Sequence, residues 1–282
     1  MRQSALARKF RRDHFFQVGV LFVAIVLVAA LFAPWLAPHN PYSGDLRSAY
    51  LVRPGSRFLL GTDTQGRDVL SRVLYGARLS LAVGLISQSV AASIGITLGL
   101  VSGYYGRWVD ALVMRLADIT LAFPTLLLLI AVAAAVKPSL LIVFVVIGIV
   151  GWAGMARLVR SQVLALRRSE FVIAAQALGA RDRRVLLRHL LPNVRTQVII
   201  AATLGIGGAI MAEAALSFVG LGAQPPTPSW GAMVADGRDL LRVAPWISFA
   251  PGLAIGIAVL GFNLVGDGLR EAYDPKLRSG ER

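Results

Sequence analysis

The stretch "EFVIAAQALGARDRRVLLRHLLPN" (170–193) decides how the rest of the chain is read. It lies between two long apolar runs, yet it is short, basic and rich in alanine and glycine. Its first half orders Ala, Leu and Gln as a helix prefers. Ser169 is placed to cap that helix and Gly179 to end it. The second half carries Val185, Leu186 and Leu190 at helical spacing and is expected to stop at Pro192-Asn193. The sequence thus predicts two short helices that meet at Gly179 and lie along a membrane surface. Two readings follow from the residues. One is an amphipathic linker whose arginines reach lipid phosphates. In the other, Ala174, Ala175 and Gly179 let a partner's backbone approach closely, and the basic flanks suit a groove on that partner.

Outward from this stretch the composition is that of a membrane protein. Of 282 residues, 56% are hydrophobic and 16% charged, against about 45–50% and about 25% in soluble domains. The mean hydropathy is +0.67. Six apolar windows have the length of a membrane span: 17–37, 79–103, 117–136, 139–159, 197–221 and 247–267. Lys137-Pro138-Ser139 makes a tight turn between the third and fourth, because proline inside a helix costs about 3 kcal/mol. The first run exceeds the apolar core of a signal peptide, and Pro34, Trp35 and Pro38 occupy the zone where cleavage would fall, so it is expected to stay as a span. The organisation expected is an all-α polytopic membrane protein. A cytoplasmic segment (1–16) and a first helix (17–37) precede an extracytoplasmic loop (38–78). A five-helix core (79–267) follows, with a cytoplasmic loop at about 160–196, and then a cytoplasmic tail (268–282). Counting Lys and Arg in alternate segments gives 20 on one side and 9 on the other, which places both termini in the cytoplasm. Six arginines in the 38–78 loop run against the rule, although a loop that long obeys it less strictly.

The formal net charge of +14 comes from Lys and Arg spread over the segments between apolar runs. That distribution suits topology and anionic lipid and argues against a nucleic-acid partner. There is no cysteine, so disulfides and thiolate metal sites are excluded. His14, His39 and His189 are scattered, which speaks against a metal centre. None of Lys9, Lys137 and Lys276 ends a glycine-rich phosphate loop, so the sequence contains no nucleotide cradle of that kind. No serine sits in a hydrolase signature, and no catalytic residue or bound cofactor is expected.

Four further groups stand out. Glu213 is the one clear acid within the apolar windows, a candidate for gating, for helix–helix hydrogen bonding or for the path. Asp118 and Asp267 fall at span ends facing water or basic neighbours, and Asn263 is a candidate helix–helix contact. The Pro/Gly-dense loop 220–231 should form rigid turns, with Trp230 suited to an interfacial anchor. In "GTDTQGRD" (61–68), Asp63, Arg67 and Asp68 are placed for a charge network, either a set of exposed pairs worth about 0–1 kcal/mol each or part of an outer docking surface.

The stretch "IAAQALGARDRRVLLRHLLP" (173–192) resembles the cytoplasmic EAA loop of permease subunits in ATP-binding-cassette (ABC) importers. Ala174, Ala175, Gly179, Leu191 and Pro192 match, while Ile173 stands where the family often has Glu and His189 where it often has Ile. Within the dipeptide/oligopeptide/nickel branch, "LLGTDTQGRDVLSRVLYGARLSL" (59–81), "DITLAFPTLLLLI" (118–130) and "AEAALSFVGLGAQPPTPSWGAMV" (212–234) are similar to branch signatures, so the likeness covers nearly the whole chain. It implies a type I importer architecture of six transmembrane helices in a bacterial cytoplasmic (inner) membrane. It further implies a homologous second permease, two ATPase subunits carrying ATP-Mg, and an extracytoplasmic substrate-binding protein. The cargo implied is a di- or oligopeptide, with nickel complexes and other small solutes open. The opening stretch would be the coupling helix, through Glu170, Ala174, Ala175, Gly179, Arg181, Arg184 and Pro192, and the 38–78 and 220–231 loops would shape the outer gate. The rival class is an ion-coupled carrier, which calls for inward-facing ionisable groups or an inverted repeat.

Overall fold

The computed structural model describes residues 13–136 and 139–273. The Lys137-Pro138 turn, most of the N-terminal segment and the tail beyond Tyr273 lie outside the described residues. Regular structure among the described residues is helical, apart from one isolated bridge between Thr62 and Asp68. Helix α1 (His14–Leu31) is capped by Asp13, whose carboxylate accepts the Phe16 amide at 3.0 Å. It packs along the C-terminal helix, where Gly19, Gly261 and Gly268 remove the side chains that would otherwise hold the two apart.

Helix α2 (Val69–Tyr105) has 37 residues and, at 1.5 Å per residue, is about 55 Å long, well beyond a hydrocarbon core of about 30 Å. It therefore begins ten residues before the expected window. Arg72 and Arg78 keep its first turns out of an apolar window, but Asp68 caps them by accepting both the amide and the hydroxyl of Ser71, at 2.8 and 2.6 Å. Further along, Gly95, Gly99 and Gly103 repeat every four residues and face helix α5 (Leu140–Leu166). A Cβ at these positions would come within 2.5 Å of Met155, 2.6 Å of the Ala156 carbonyl oxygen and 2.8 Å of Val163. Small residues at this spacing let two membrane helices pack backbone to backbone, where dispersion replaces the missing hydrophobic drive.

The expected third span, 117–136, is not one helix. Helices α3 (Arg107–Ala122) and α4 (Thr125–Ala134) meet at a 92° bend. Phe123 is extended there (φ −88°, ψ 139°), as the residue before a proline prefers, and Pro124 restarts the chain. Among the described residues five helices are long and apolar enough to cross a membrane, and the count reaches six when this bent pair is taken as one span.

The opening stretch also differs from expectation. Its first half is helix α6 (Glu170–Ala177). Its second half is no separate surface helix but the beginning of α7 (Asp182–Phe218). Pro192 sits in an early turn of the continuing helix rather than ending it. The segment before it, Val185–Leu190, is π-helical, with the Leu191 amide bonded to the Leu186 carbonyl five residues back. The wider turn accommodates the proline. It also lets Val185 and Leu190, five residues apart, both face inward, and each is fully buried. Helices α8 (Trp230–Gly237) and α9 (Trp246–Tyr273) complete the bundle.

Candidate functional site

Helix α6 is held outside the spans by one buried side chain and a polar clamp. Val172 is fully buried in a cluster with Leu100, Val163, Val185 and Val194. The Tyr104 hydroxyl, at the end of α2, donates to Asp182 at 2.8 Å and accepts from the Gln176 amide at 3.2 Å. Ser169 occupies the cap position as expected, but its hydroxyl donates back to the Leu166 carbonyl at 2.5 Å instead of capping α6. Gly179 ends the helix with φ +82°. The Ala180 amide reaches the Ala175 carbonyl at 3.0 Å and the Gly179 amide reaches Gln176 at 2.9 Å, the Schellman pair of bonds.

The segment presents an apolar tip. Leu178 is 89% exposed, and Phe171 and Ile173 are exposed beside it. Glu170, Ala174, Gly179, Arg181, Arg184 and Pro192 are also exposed, and Ala175 is half-buried. Nothing lies within 4 Å of a Cβ built on Gly179. A rigid, unpartnered apolar knob ringed by arginines is shaped to enter a complementary cleft.

At the opposite end of the bundle the expected charge network is present but is not a solvated one. The Arg67 guanidinium donates to Asp63 at 2.7 Å, and Arg72 approaches the same carboxylate at 3.5 Å. Asp63 also accepts the Gln65 and Arg67 amides. All three side chains are buried. Asp236 of α8 adds a second acid to the field of Arg72 and Arg67. Asp68 belongs to the α2 cap rather than to this cluster. Thr62 ties the loop together, donating to the Ala49 carbonyl and accepting the Val52 amide. Residues 61–68 are thus largely packed, with Pro41, Ala49 and Phe58 buried as well, while much of 42–59 stays exposed.

Trp230 is no interfacial anchor. It is 1% exposed, its ring fills the space left by Gly76, and its indole N–H donates to the Val73 carbonyl at 2.9 Å. A buried indole needs that partner, and the start of α2 supplies it. The preceding residue, Ser229, caps α8 and also donates to Glu213 Oε1 at 2.8 Å, while Ser217 donates to the same oxygen at 2.5 Å. Glu213 is 1% exposed, and its Oε2 has no hydrogen-bond partner among the described residues. Gly231 lies directly on the Ala214 backbone. Glu213 is therefore the joint between α7 and α8. Asp118 pairs with Arg157 of α5 at 2.5 Å, both about half exposed, and Asp110 pairs with Arg160 one turn away. Asn263 rests against Gly207 of α7, its amide oxygen 3.3 Å from where a Cβ would stand. Asp118 and Asn263 thus belong to two separate helix contacts, and neither is brought to Glu213. Asp267 at the far end of α9 is exposed.

Residues 95–279 match the family described as the binding-protein-dependent transport system inner membrane component, and residues 3–54 match the N-terminal TM domain of oligopeptide transport permease C. The chain belongs to the peptide-family ABC-importer permeases. This permease is 45% identical over 272 residues to the dipeptide transport system permease protein DppC of Alkalihalophilus pseudofirmus, covering 96% of this chain and 89% of that one. It is 43% identical over 271 residues to the glutathione transport system permease protein GsiD of Escherichia coli O157:H7, with the same coverage. Among solved structures it resembles the MetNI methionine ABC transporter in an inward-facing conformation, with a TM-score of 0.55, 20% identity, and 72% of this chain and 97% of that chain covered. At that identity the likeness concerns the fold. The permease is accordingly a multi-pass inner-membrane transport subunit.

Several of the permease's key residues escape sequence reasoning. Leu178 follows the small-residue cluster and reads as one more apolar helix residue. Tyr104, Arg72 and Ser229 are matched to their partners only by folding, across separations of 78 residues for Tyr104–Asp182 and 16 for Ser229–Glu213. The four-residue glycine repeat from Gly95 to Gly103 was a readable signal of close helix packing.

Proposed function

We propose that this permease is one half of a heteromeric importer for di- or oligopeptides, paired with a homologous second permease around an alternating-access path. Support for the cargo comes from relatives named for dipeptide and glutathione transport at 45% and 43% identity. Nickel complexes and other small solutes are the alternative cargo. Both termini face the cytoplasm, by the excess of Lys and Arg on that side. ATP-Mg binds to two separate ATPase subunits below, and a substrate-binding protein docks on the outer face, where the 38–68 loop and α8 lie.

The observation that carries the reading is the exposed Leu178 tip, rigidly backed by Val172 and Tyr104 and placed at the root of α7. In operation the ATPase subunits grip the segment from Glu170 to Arg188 and their closure tilts it. Because α7 continues without a break from Asp182 to Phe218, the tilt reaches Glu213, and through Ser229 it moves the outer helix α8. Asp118–Arg157 and Asn263–Gly207 hold the neighbouring helices in register as this happens. This is rigid-body gating with no covalent chemistry in the permease.

The test uses the absence of cysteine. Leu178→Cys in the assembled transporter should form a nucleotide-sensitive cross-link with a cysteine in the ATPase cleft, while Leu260→Cys, on the exposed face of α9, should not. No adduct at Leu178, Ala175 or Arg181 in a complex that hydrolyses ATP would return the segment to the lipid surface and reopen the carrier reading.

A further inference from the structure

Between α8 and α9 the bundle carries an apolar groove of about 460 Å³. Phe218, Leu241, Phe249 and Leu253 form its walls, and Gly252 gives it a floor without a side chain. One turn further along α9, Gly256 prolongs that bare strip. Among the described residues, nothing beyond the helix's own local backbone comes within 4 Å of a Cβ built on either glycine. Residues 249, 253, 256 and 260 recur on one helix face, so this face continues along α9 beyond the groove. Phe249, Leu253 and Leu260 stand exposed along it.

The mouth of the groove is basic. Arg238 lines it, with its guanidinium 5.9 Å from the centroid of the Phe218 ring. Arg242 follows one turn later and is exposed. The acid nearest Arg238 is its neighbour Asp239 at 3.4 Å, and both side chains are open to solvent, so that pair holds the arginine weakly. Arg242 makes no ion pair among the described residues. The loosely held guanidinium of Arg238 thus stands at the end of the apolar groove, with the exposed Arg242 four residues further along the chain.

We propose that this groove binds one anionic phospholipid of the bilayer, its acyl chain lying over Gly252 and Gly256 and its phosphate held by Arg238 and Arg242. A phospholipid answers both parts of the site, the dry trough and the paired charges. An apolar helix from another subunit would fill the trough and leave both guanidinium groups unanswered. The leaflet is the one on the side of the α8–α9 connection, which is the outer leaflet in the orientation proposed above.

The test is photocross-linking in vesicles. The assembled transporter, without ATP or cargo, is placed in bilayers containing phosphatidylglycerol or phosphatidylcholine with a photoreactive group on the acyl chain, and adducts are mapped by mass spectrometry. Phosphatidylglycerol should label Leu241, Phe249 or Leu253 well above phosphatidylcholine. Arg238→Gln and Arg242→Gln should each lower that labelling about five-fold, with adducts on α1 unchanged. Equal labelling by the two lipids, or labelling indifferent to the paired substitution, would overturn the site. So would a disulfide between Leu253→Cys and a cysteine in the second permease, which would make the groove a subunit interface. Failure in any of these ways would leave the coupling reading untouched, because the resting complex reports only on the groove.

Discussion

Replacing Gly179 by alanine separates the backbone conformation of the proposed coupling segment from its contacts. At φ +82° an L-residue pays a steric cost of about 1–2 kcal/mol. Alanine also narrows the unfolded ensemble, which returns about 0.4–1 kcal/mol. No neighbour lies within 4 Å of the added methyl, so no clash enters. The net strain is about 1 kcal/mol, a factor of about five in the population of the ordered segment, and it falls on the two bonds that close α6 at Gln176 and Ala175. Asparagine tolerates the left-handed region and serves as the rescue. Titrating a labelled ATPase subunit onto the permease in nanodiscs should show affinity weakened by up to about five-fold for Gly179→Ala and near wild type for Gly179→Asn. Thermal melting of the bundle should be equal for both. Indistinguishable affinities for the alanine and asparagine variants would refute the argument, since a role resting on glycine's small size would penalise both.

Gly99→Leu should destabilise the bundle by more than about 1–3 kcal/mol, because its Cβ meets the Ala156 carbonyl oxygen at 2.6 Å; Gly154→Leu, with nothing nearby, should melt within a degree or two of wild type. Asp63→Ala leaves Arg67 and Arg72 buried together without their shared acceptor and should cost about 3–5 kcal/mol in detergent unfolding, whereas Asp239→Ala should be neutral. Glu213→Ala and Ser229→Ala both break the α7–α8 joint, so their effects on transport should fall short of additive in a double-mutant cycle by about 1–2 kcal/mol, with ATP hydrolysis continuing. Strict additivity would mean the two residues act independently.

The apolar windows were legible because lipid demands continuous hydrophobic length, and so was the short helix from Glu170, with its stop at Gly179, because its residues favour a helix and a glycine ends it. What hydropathy could not reveal was where helices begin and break. Val69–Arg78 is helical because Asp68 caps it, a local hydrogen bond that carries no apolar signal. Pro124 was counted among apolar residues although its ring turns the chain through 92°. Pro192 was read as a stop because an α-helix would have stopped there; a π-turn does not. Glu213 stood out as a lone acid in an apolar run, but its partner Ser229 lies beyond the intervening loop. Trp230 was assigned by residue type to the interface, and only the facing Gly76 and Val73 show why it is buried. Charge patterning named Asp63 and Arg67 but not their depth, since Arg72 is placed beside them by the first turn of a helix that the windows began ten residues too late.

The continuity of α7 sets a mechanical scale. From Asp182 to Glu213 the rise of 1.5 Å per residue makes a shaft of about 46 Å. A tilt of roughly 5° at the ATPase end then carries the far end through about 4 Å, more than the length of the 2.8 Å Ser229–Glu213 hydrogen bond. Geometry therefore offers the joint two outcomes, to drag α8 along or to let go of it. With Trp230 locked onto the start of α2, letting go would strand a buried carboxylate between two helices. If the segment couples as proposed, a small rotation at the Asp182 end of α7 becomes an all-or-none event at the end where α8 is joined.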